Sequence, residues 1–281
     1  MDTRRDLLCR AGAYGLLASL APGLALAAPR ADLWPHWQAH DPDSRKSIDH
    51  STWAAFLDRY LSQASDGINR IDYRAAMNAR GGLHGYMREL EAVPVTSLNR
   101  DEQFAYWVNL YNALTVATVL DHYPVDTIRD ISSGLFSNGP WKATLVEVEA
   151  MPLSLDDIEH RILRPVWRDA RVHYAVNCAA LGCPDLYHEP FEAERLDSQL
   201  DRAARRFVNH PRGVRLEGGD LHVSSIYDWF ESDFGGSDMG VITHLRRYAE
   251  PELAAQLAGI EEIEDHDYDW ALNDTNSAGG S

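Results

Sequence analysis

Cysteine is scarce in this chain of 281 residues, which has only Cys9, Cys178 and Cys183. Three cysteines exclude a disulfide-stapled scaffold. Positive charge is scarce as well: 26 Lys and Arg stand against 43 Asp and Glu, a formal charge of −17. So acidic a surface repels nucleic acid and anionic lipid, and neither is expected as a partner. Beyond the N-terminus no stretch reaches the ~20 apolar residues that cross a bilayer, so no stable membrane span is expected once a leader is removed. There is no Gly/Ser-rich linker, low-complexity block or internal repeat to divide the chain. Several motifs are missing too: a His-Glu-x-x-His pair, a second close-spaced cysteine pair, a phosphate-cradling glycine loop, a dinucleotide fingerprint and a Gly-x-Ser-x-Gly elbow. With them go the familiar zinc, nucleotide and serine-hydrolase sites. No cofactor and no metal site is expected, and the oligomeric state is left open.

What is present begins with a leader. Thr3-Arg4-Arg5-Asp6-Leu7-Leu8 looks like a twin-arginine export signal, followed by an apolar run from Ala11 to Leu20 and the small-x-small triplet Ala25-Leu26-Ala27. Residues 1–27 are therefore read as a signal peptide, and the protein as periplasmic or otherwise exported. Cys9 precedes the apolar run, which leaves Cys178 and Cys183 as the cysteines of the mature chain. Residues 28–45 read as a linker or N-terminal arm, 46–272 as a single globular domain, and 273–281 as a disordered polar tail.

Within that domain the first half is helical. Trp53, Phe56, Leu57, Tyr60 and Leu61 form a helical stripe behind a Ser51 cap, and 68–73 suggests a short strand or turn. Helices follow over 82–92 and 100–121. The second of these is apolar nearly all round, as a helix at the centre of a domain is. A strand is expected within 142–148. Ser154 and Asp157 make a capping box for a helix through Leu163. On that helix Leu155, Ile158 and Ile162 form the core stripe, Glu159 turns partly inward, and His160 lies nearer the polar side. Residues 172–178 read as a strand, 192–209 as a helix, 214–216 and 221–223 as a hairpin, and 226–234 and 238–249 as helices. The fold class is α+β: a single mostly helical domain with a small, largely antiparallel sheet.

Several segments together resemble the family called domain of unknown function 547. They include Trp107-Val108-Asn109-Leu110-Tyr111-Asn112, Leu153-Ser154-Leu155-Asp156-Asp157-Ile158-Glu159-His160, and Arg171-Val172-His173-Tyr174-Ala175 through Cys183-Pro184. Ser224-Ser225-Ile226-Tyr227-Asp228-Trp229-Phe230 and Tyr268-Asp269-Trp270-Ala271-Leu272-Asn273 complete the series. The resemblance implies one domain and gives weight to these segments. It implies no reaction.

The chemistry is sought at Cys178 and Cys183, which flank a loop of small residues. Cys178 reads as a nucleophile, as half of a disulfide to Cys183, as a metal ligand, or as packing. His173 lies five residues away. On a strand that is about 16 Å, and odd spacing places it on the opposite face. His160 and His222 are therefore preferred as the base, with Glu159 as orienter or acid. Asn109 and Asn112, three residues apart on the central helix, need partners for their buried amides. They either orient an imidazole or pin a loop. Tyr111, Asn112, His173 and Asn177 complete the expected binding set, and Trp229, Tyr268 and Trp270 read as core or lid aromatics. The function expected is a cysteine-dependent hydrolase or acyl transferase acting on amide or peptide-like bonds. Its rival is a non-catalytic ligand-binding or structural protein carrying a Cys178–Cys183 disulfide. Either would take a small-molecule or peptide-like ligand.

Overall fold

A helix with no polar face has to be surrounded, and this chain is built around one. The computed structural model describes residues 29–131 and 139–277. The expected leader, with Cys9, lies outside them. Helix α1 (Ser51–Tyr60) leads into the hairpin β1 (Leu61–Gln63) and β2 (Asn69–Ile71), then α2 (Tyr73–Ala76), α3 (Arg80–Glu91) and α4 (Arg100–His122). Every residue of α4 from Glu102 to Leu120 is buried, as its sequence requires. Asn99 caps it, accepting the Glu102 N–H at 2.9 Å. At α1 the capping position is His50 rather than Ser51, whose N–H is instead taken by the Asp49 carboxylate at 2.8 Å.

The second half carries the remaining sheet and the site. Strands β3 (Val146–Val148) and β4 (Met151–Leu153) form a hairpin. Ser154 and Asp157 make the expected reciprocal cap at 3.0 and 3.1 Å. The following segment is not an α-helix, however. Asp157–Leu163 winds as a π-helix and continues into α5 (Arg164–Trp167). Next come α6 (Val172–Ala175), α7 (Leu196–Val208), β5 (Val214–Glu217), β6 (Asp220–Ser224), α8 (Ile226–Trp229), α9 (Asp238–Tyr248), α10 (Pro251–Leu257) and β7 (Asp265–Asp267). Antiparallel β5–β6 is extended by β7, parallel to β6, with His222 opposite Asp265. The architecture is α+β and mostly helical, and among the described residues the strands lie in three small sheets.

Three expectations need correction. Residues 172–178 are not a strand: Val172–Ala175 makes one helical turn, which ends at an extended Val176. The run is apolar because it is buried on every side, and a short apolar run has no period to separate strand from helix. Second, His160 is buried, not near the polar side. The wider π winding turns His160 inward beside Glu159, whereas an α-helical wheel brings only Glu159 partly inward. Third, Asn273 and Asp274, expected to open a disordered tail, are buried. Asn273 accepts from Ile71 N–H at 2.9 Å and donates its own N–H to Ala179 O at 3.0 Å.

The N-terminal arm is tied to the π-helix for a reason visible in the backbone. Arg164 N–H bonds back to Glu159 O, so His160 O is freed, and Pro165 has no N–H to offer Arg161 O. Asp32 and Trp34 donate to these two carbonyls, each at 3.0 Å. Buried carbonyls need partners, and here an extended segment provides them. Trp37 anchors the arm further, buried edge-on against Trp107 of α4.

Candidate thiol site and its polar surroundings

The cysteine loop is held in place from α4, from its own start, and from the C-terminal segment. Asn112 clamps its entry: Nδ2 donates to Ala175 O at 2.9 Å, and Oδ1 accepts the Asn177 N–H at 2.8 Å. These are the backbone groups that a strand neighbour would otherwise satisfy. Asn177 closes the loop on itself, donating to Pro184 O at 2.8 Å and accepting from Ala179 N–H at 2.9 Å. Ala179 takes a left-handed conformation, φ 62°, directly after Cys178. Such a turn is uncommon for a residue with a Cβ and persists where the surroundings fix it. Over the loop runs the C-terminal segment, with Leu181 N–H on Ala271 O and Gly182 N–H on Asp269 O, both at 2.8 Å. A side chain at Gly182 would strike the Asp269 backbone nitrogen, its Cβ coming within 2.6 Å.

Both thiols are free, Cys183 buried and Cys178 partly exposed. Their sulfurs lie 3.0 Å apart, with Cys178 Sγ donating to Cys183 Sγ. Cys178 N–H also donates to Cys183 Sγ, at 3.0 Å. The Tyr268 hydroxyl sits 2.9 Å from Cys178 Sγ. Electrostatically the two thiols are unequal. Its hydrogen bond to Cys183, reinforced by burial, pushes Cys178 well above the ordinary thiol range. For Cys183 burial acts upward, but the Cys178 S–H and N–H, Tyr268 and the charge of Arg212 outweigh it and draw the thiol down. Of the two, Cys183 is thus the stronger acid, so a proton lost from the pair leaves Cys183 first.

Beside the pair lies a buried polar cluster. Tyr111 OH donates to Glu159 Oε2 at 3.0 Å, and Glu159 Oε1 faces the Nδ1 atoms of His160 and His173 at 3.8 and 3.9 Å. His173 Nε2 and Arg164 Nε both hold Asp233 Oδ2, at 2.8 and 2.6 Å. Arg164 Nη1 also donates to His160 Nδ1 at 3.2 Å, which fixes the proton of a neutral His160 on Nε2. Burial, with the Arg164 charge, brings His160 down to about 4. Burial also lowers His173, against the pull of Asp233, and raises Glu159. Asp233 moves the other way: hydrogen bonds from His173 and Arg164 overcome burial and hold it far below the carboxylate range. The field of Glu159 reaches the cysteine and disfavours a thiolate at Cys178.

The expected site residues thus separate into groups. Glu159, Tyr111 and His173 are brought together, with the charge of Glu159 reaching Cys178, and the strand on which the distance argument against His173 rested is absent. Cys178 Sγ nevertheless makes no hydrogen bond to an imidazole among the described residues; its partners are sulfur and a phenol. His160 joins the cluster on its far side, against Asp156 and Phe230. His222 stays on β6 opposite Arg215, with its Nδ1 buried and unbonded. Asn109 holds the Phe191 backbone through both amide atoms, at 2.8 and 3.0 Å. Asn109, Asn112 and Asn177 are thus loop clamps.

Two important positions were not assigned a chemical role from sequence. Tyr268, read as a core or lid aromatic, covers Cys178 from 90 residues downstream, and Asp233 anchors His173 from 60 residues away. No local spacing signals either contact. Tyr268 also packs with Trp229 and Trp270, ring centroids 4.8 and 4.6 Å away. Tyr268 also lines a cleft of about 170 Å³, together with Leu181, Gly182, Arg70, Arg212 and Asp269. No group of three or more His, Cys, Asp or Glu among the described residues is arranged to hold a metal ion, and no described helix is long and apolar enough to cross a membrane.

Neither a curated protein nor a solved structure matches the chain. Residues 95–208 match a family model described as protein of unknown function, DUF547. That span holds α4, the π-helix, the cysteine loop and α7, but neither Asp233 nor Tyr268. Through its central helix and cysteine loop, the chain resembles the DUF547 family of proteins of unknown function.

Proposed function

We propose that this is an exported, periplasmic thiol enzyme: a hydrolase or acyl transferase acting on amide or peptide-like bonds, with Cys178 as nucleophile and Cys183 as its base. One observation carries the reading. The partly exposed thiol donates at 3.0 Å to a second sulfur whose environment favours the thiolate. A nucleophile within hydrogen-bond reach of a base, with the base oriented by further groups, is the arrangement covalent catalysis needs. The Cys178 N–H, Tyr268 and Arg212 are the orienting groups.

The proton account closes. As Cys178 Sγ attacks the carbonyl carbon, its proton passes to the Cys183 thiolate. The Cys183 thiol then protonates the departing amine, leaving a thioester on Cys178 and a thiolate on Cys183. Water or an acceptor amine attacks the thioester, giving its proton to Cys183, which returns it to Cys178. At rest the transfer is uphill, because Cys183 is the stronger acid of the two. The nucleophile therefore forms only as the carbonyl accepts the electron pair.

An acylation experiment tests this. Wild-type protein treated with p-nitrophenyl acetate forms an acetyl adduct that peptide mass spectrometry maps to Cys178. Cys183→Ser slows its formation by about 10²–10⁴-fold, the range for loss of a general base. Equal acylation of Cys178→Ser, or an adduct on Cys183, overturns the assignment. The competing reading, a permanent Cys178–Cys183 staple in a non-catalytic protein, predicts that neither cysteine of native, unreduced protein takes up iodoacetamide.

A further inference from the structure

We propose that Cys178 and Cys183 also form a reversible redox couple that reduces low-molecular-weight disulfides by thiol–disulfide exchange. This activity does not depend on acyl transfer and goes beyond it. Its basis is the geometry of the loop. The sulfurs stand 3.0 Å apart, and a disulfide requires ~2.05 Å, so closure asks for about 1 Å of approach. The backbone that must hold the bridge is already in place. Asn177 joins Ala179 to Pro184 across the loop, Ala179 is already in its left-handed turn, and the C-terminal segment fixes Leu181 and Gly182. Ordering that a flexible dithiol would undergo on oxidation is complete in the reduced protein, so ring closure is favoured. Access is asymmetric, as exchange chemistry requires. Cys178 is partly exposed and can meet a disulfide, while Cys183 is buried and can meet only Cys178.

The exchange balances in two steps. Cys178, passing its proton to Cys183, attacks one sulfur of the substrate disulfide. The substrate S–S bond breaks, and the departing thiolate takes the proton from Cys183. The Cys183 thiolate then attacks Cys178 Sγ in the mixed disulfide and expels the second substrate thiolate, which is protonated from water. Two protein thiols are oxidised to one disulfide, and one substrate disulfide is reduced to two thiols. The unequal acidity of the pair favours the second step, in which the buried Cys183 thiolate resolves the intermediate, whereas the first step obtains its Cys178 thiolate only by proton transfer to Cys183 as the attack proceeds.

Oxidised glutathione serves as the probe. The full chain is equilibrated in glutathione buffers of varied ratio, acid-quenched, labelled and mapped by peptide mass, so that Cys9 is counted separately. Wild-type protein is expected to convert to the Cys178–Cys183 disulfide and to regain both thiols in dithiothreitol. Cys183→Ser is expected to stall with glutathione on Cys178, and Cys178→Ser to form neither species. Circular dichroism of each variant shows whether it is folded, and Cys183→Ala replaces Cys183→Ser if that variant is not. A stable glutathione adduct on wild-type Cys178 beside a free Cys183 overturns the proposal, as do two thiols indifferent to the buffer ratio. The readout is thiol count, so a failed acylation experiment leaves this result standing, and the reverse also holds.

Discussion

Buried amides at single positions do much of the positioning, and their removal has a calculable cost. Asn112 satisfies the Ala175 carbonyl and the Asn177 N–H, both inside the core. Asn112→Ala leaves two backbone groups unpaired and is expected to lower stability by about 2–6 kcal/mol, at ~1–3 kcal/mol per buried unsatisfied group. Urea unfolding checks this, and a midpoint within error of wild type contradicts the clamp. Buried imidazoles set a second residue-scale expectation. His50 accepts the Tyr86 hydroxyl, its other nitrogen is buried without a partner, and burial brings it down to about 4. His160 and His244 sit at about 4 for the same first reason. Between pH 6.5 and 4 the unfolded chain binds protons at these positions that the folded chain refuses. Their contribution to stability is therefore full above that window and is lost as pH falls through it. His50→Phe is expected to narrow the stability gap between pH 7 and pH 5 by about 2 kcal/mol, whatever constant cost the substitution carries. Unfolding measured at both pH values reads the difference directly, and an unchanged gap counts against a neutral buried His50.

The π-helix sets the next level of organisation. Its winding turns Glu159 and His160 to one side and releases the carbonyls that bind the arm, so cluster and arm depend on the same element. The arm also reaches the cluster directly, because Pro29 O accepts from Arg164 Nη1 at 2.7 Å while Arg164 holds Asp233. Trp37→Ala removes the buried anchor of the arm and is expected to cost about 3–5 kcal/mol, as large-to-small changes of buried aromatics do. Its second signature is local: hydrogen exchange at the Trp34 N–H quickens more than exchange in the core of α4. Uniform quickening through the protein instead indicates an arm with no separate attachment.

At the scale of the whole molecule, the site is closed by the end of the chain. Residues 268–273 place Tyr268 on Cys178 and pair with the cysteine loop, so a segment remote in sequence partly covers the thiol. Gly182→Ala forces the two apart, since its Cβ would lie 2.6 Å from the Asp269 nitrogen. The expected result is faster iodoacetamide labelling of Cys178 with helical content unchanged. A labelling rate equal to wild type argues that this segment does not guard the thiol.

The sequence by itself determined the α+β class, the buried central helix, the Ser154–Asp157 box and the cysteine loop as the place to look. Each of these is written in local spacing: a helix apolar on all sides, a cap three residues from its partner, two thiols five residues apart. Tertiary structure alone decided the rest. It made Val172–Ala175 a helical turn, because burial on every side erases the period that separates strand from helix. It wound Asp157–Leu163 as a π-helix, and it brought Asp233 to His173 and Tyr268 to Cys178 across 60 and 90 residues. It also decided which cysteine is the stronger acid. Cys183 receives the Cys178 S–H and N–H and feels the charge of Arg212, and these reach its sulfur only when the chain is folded.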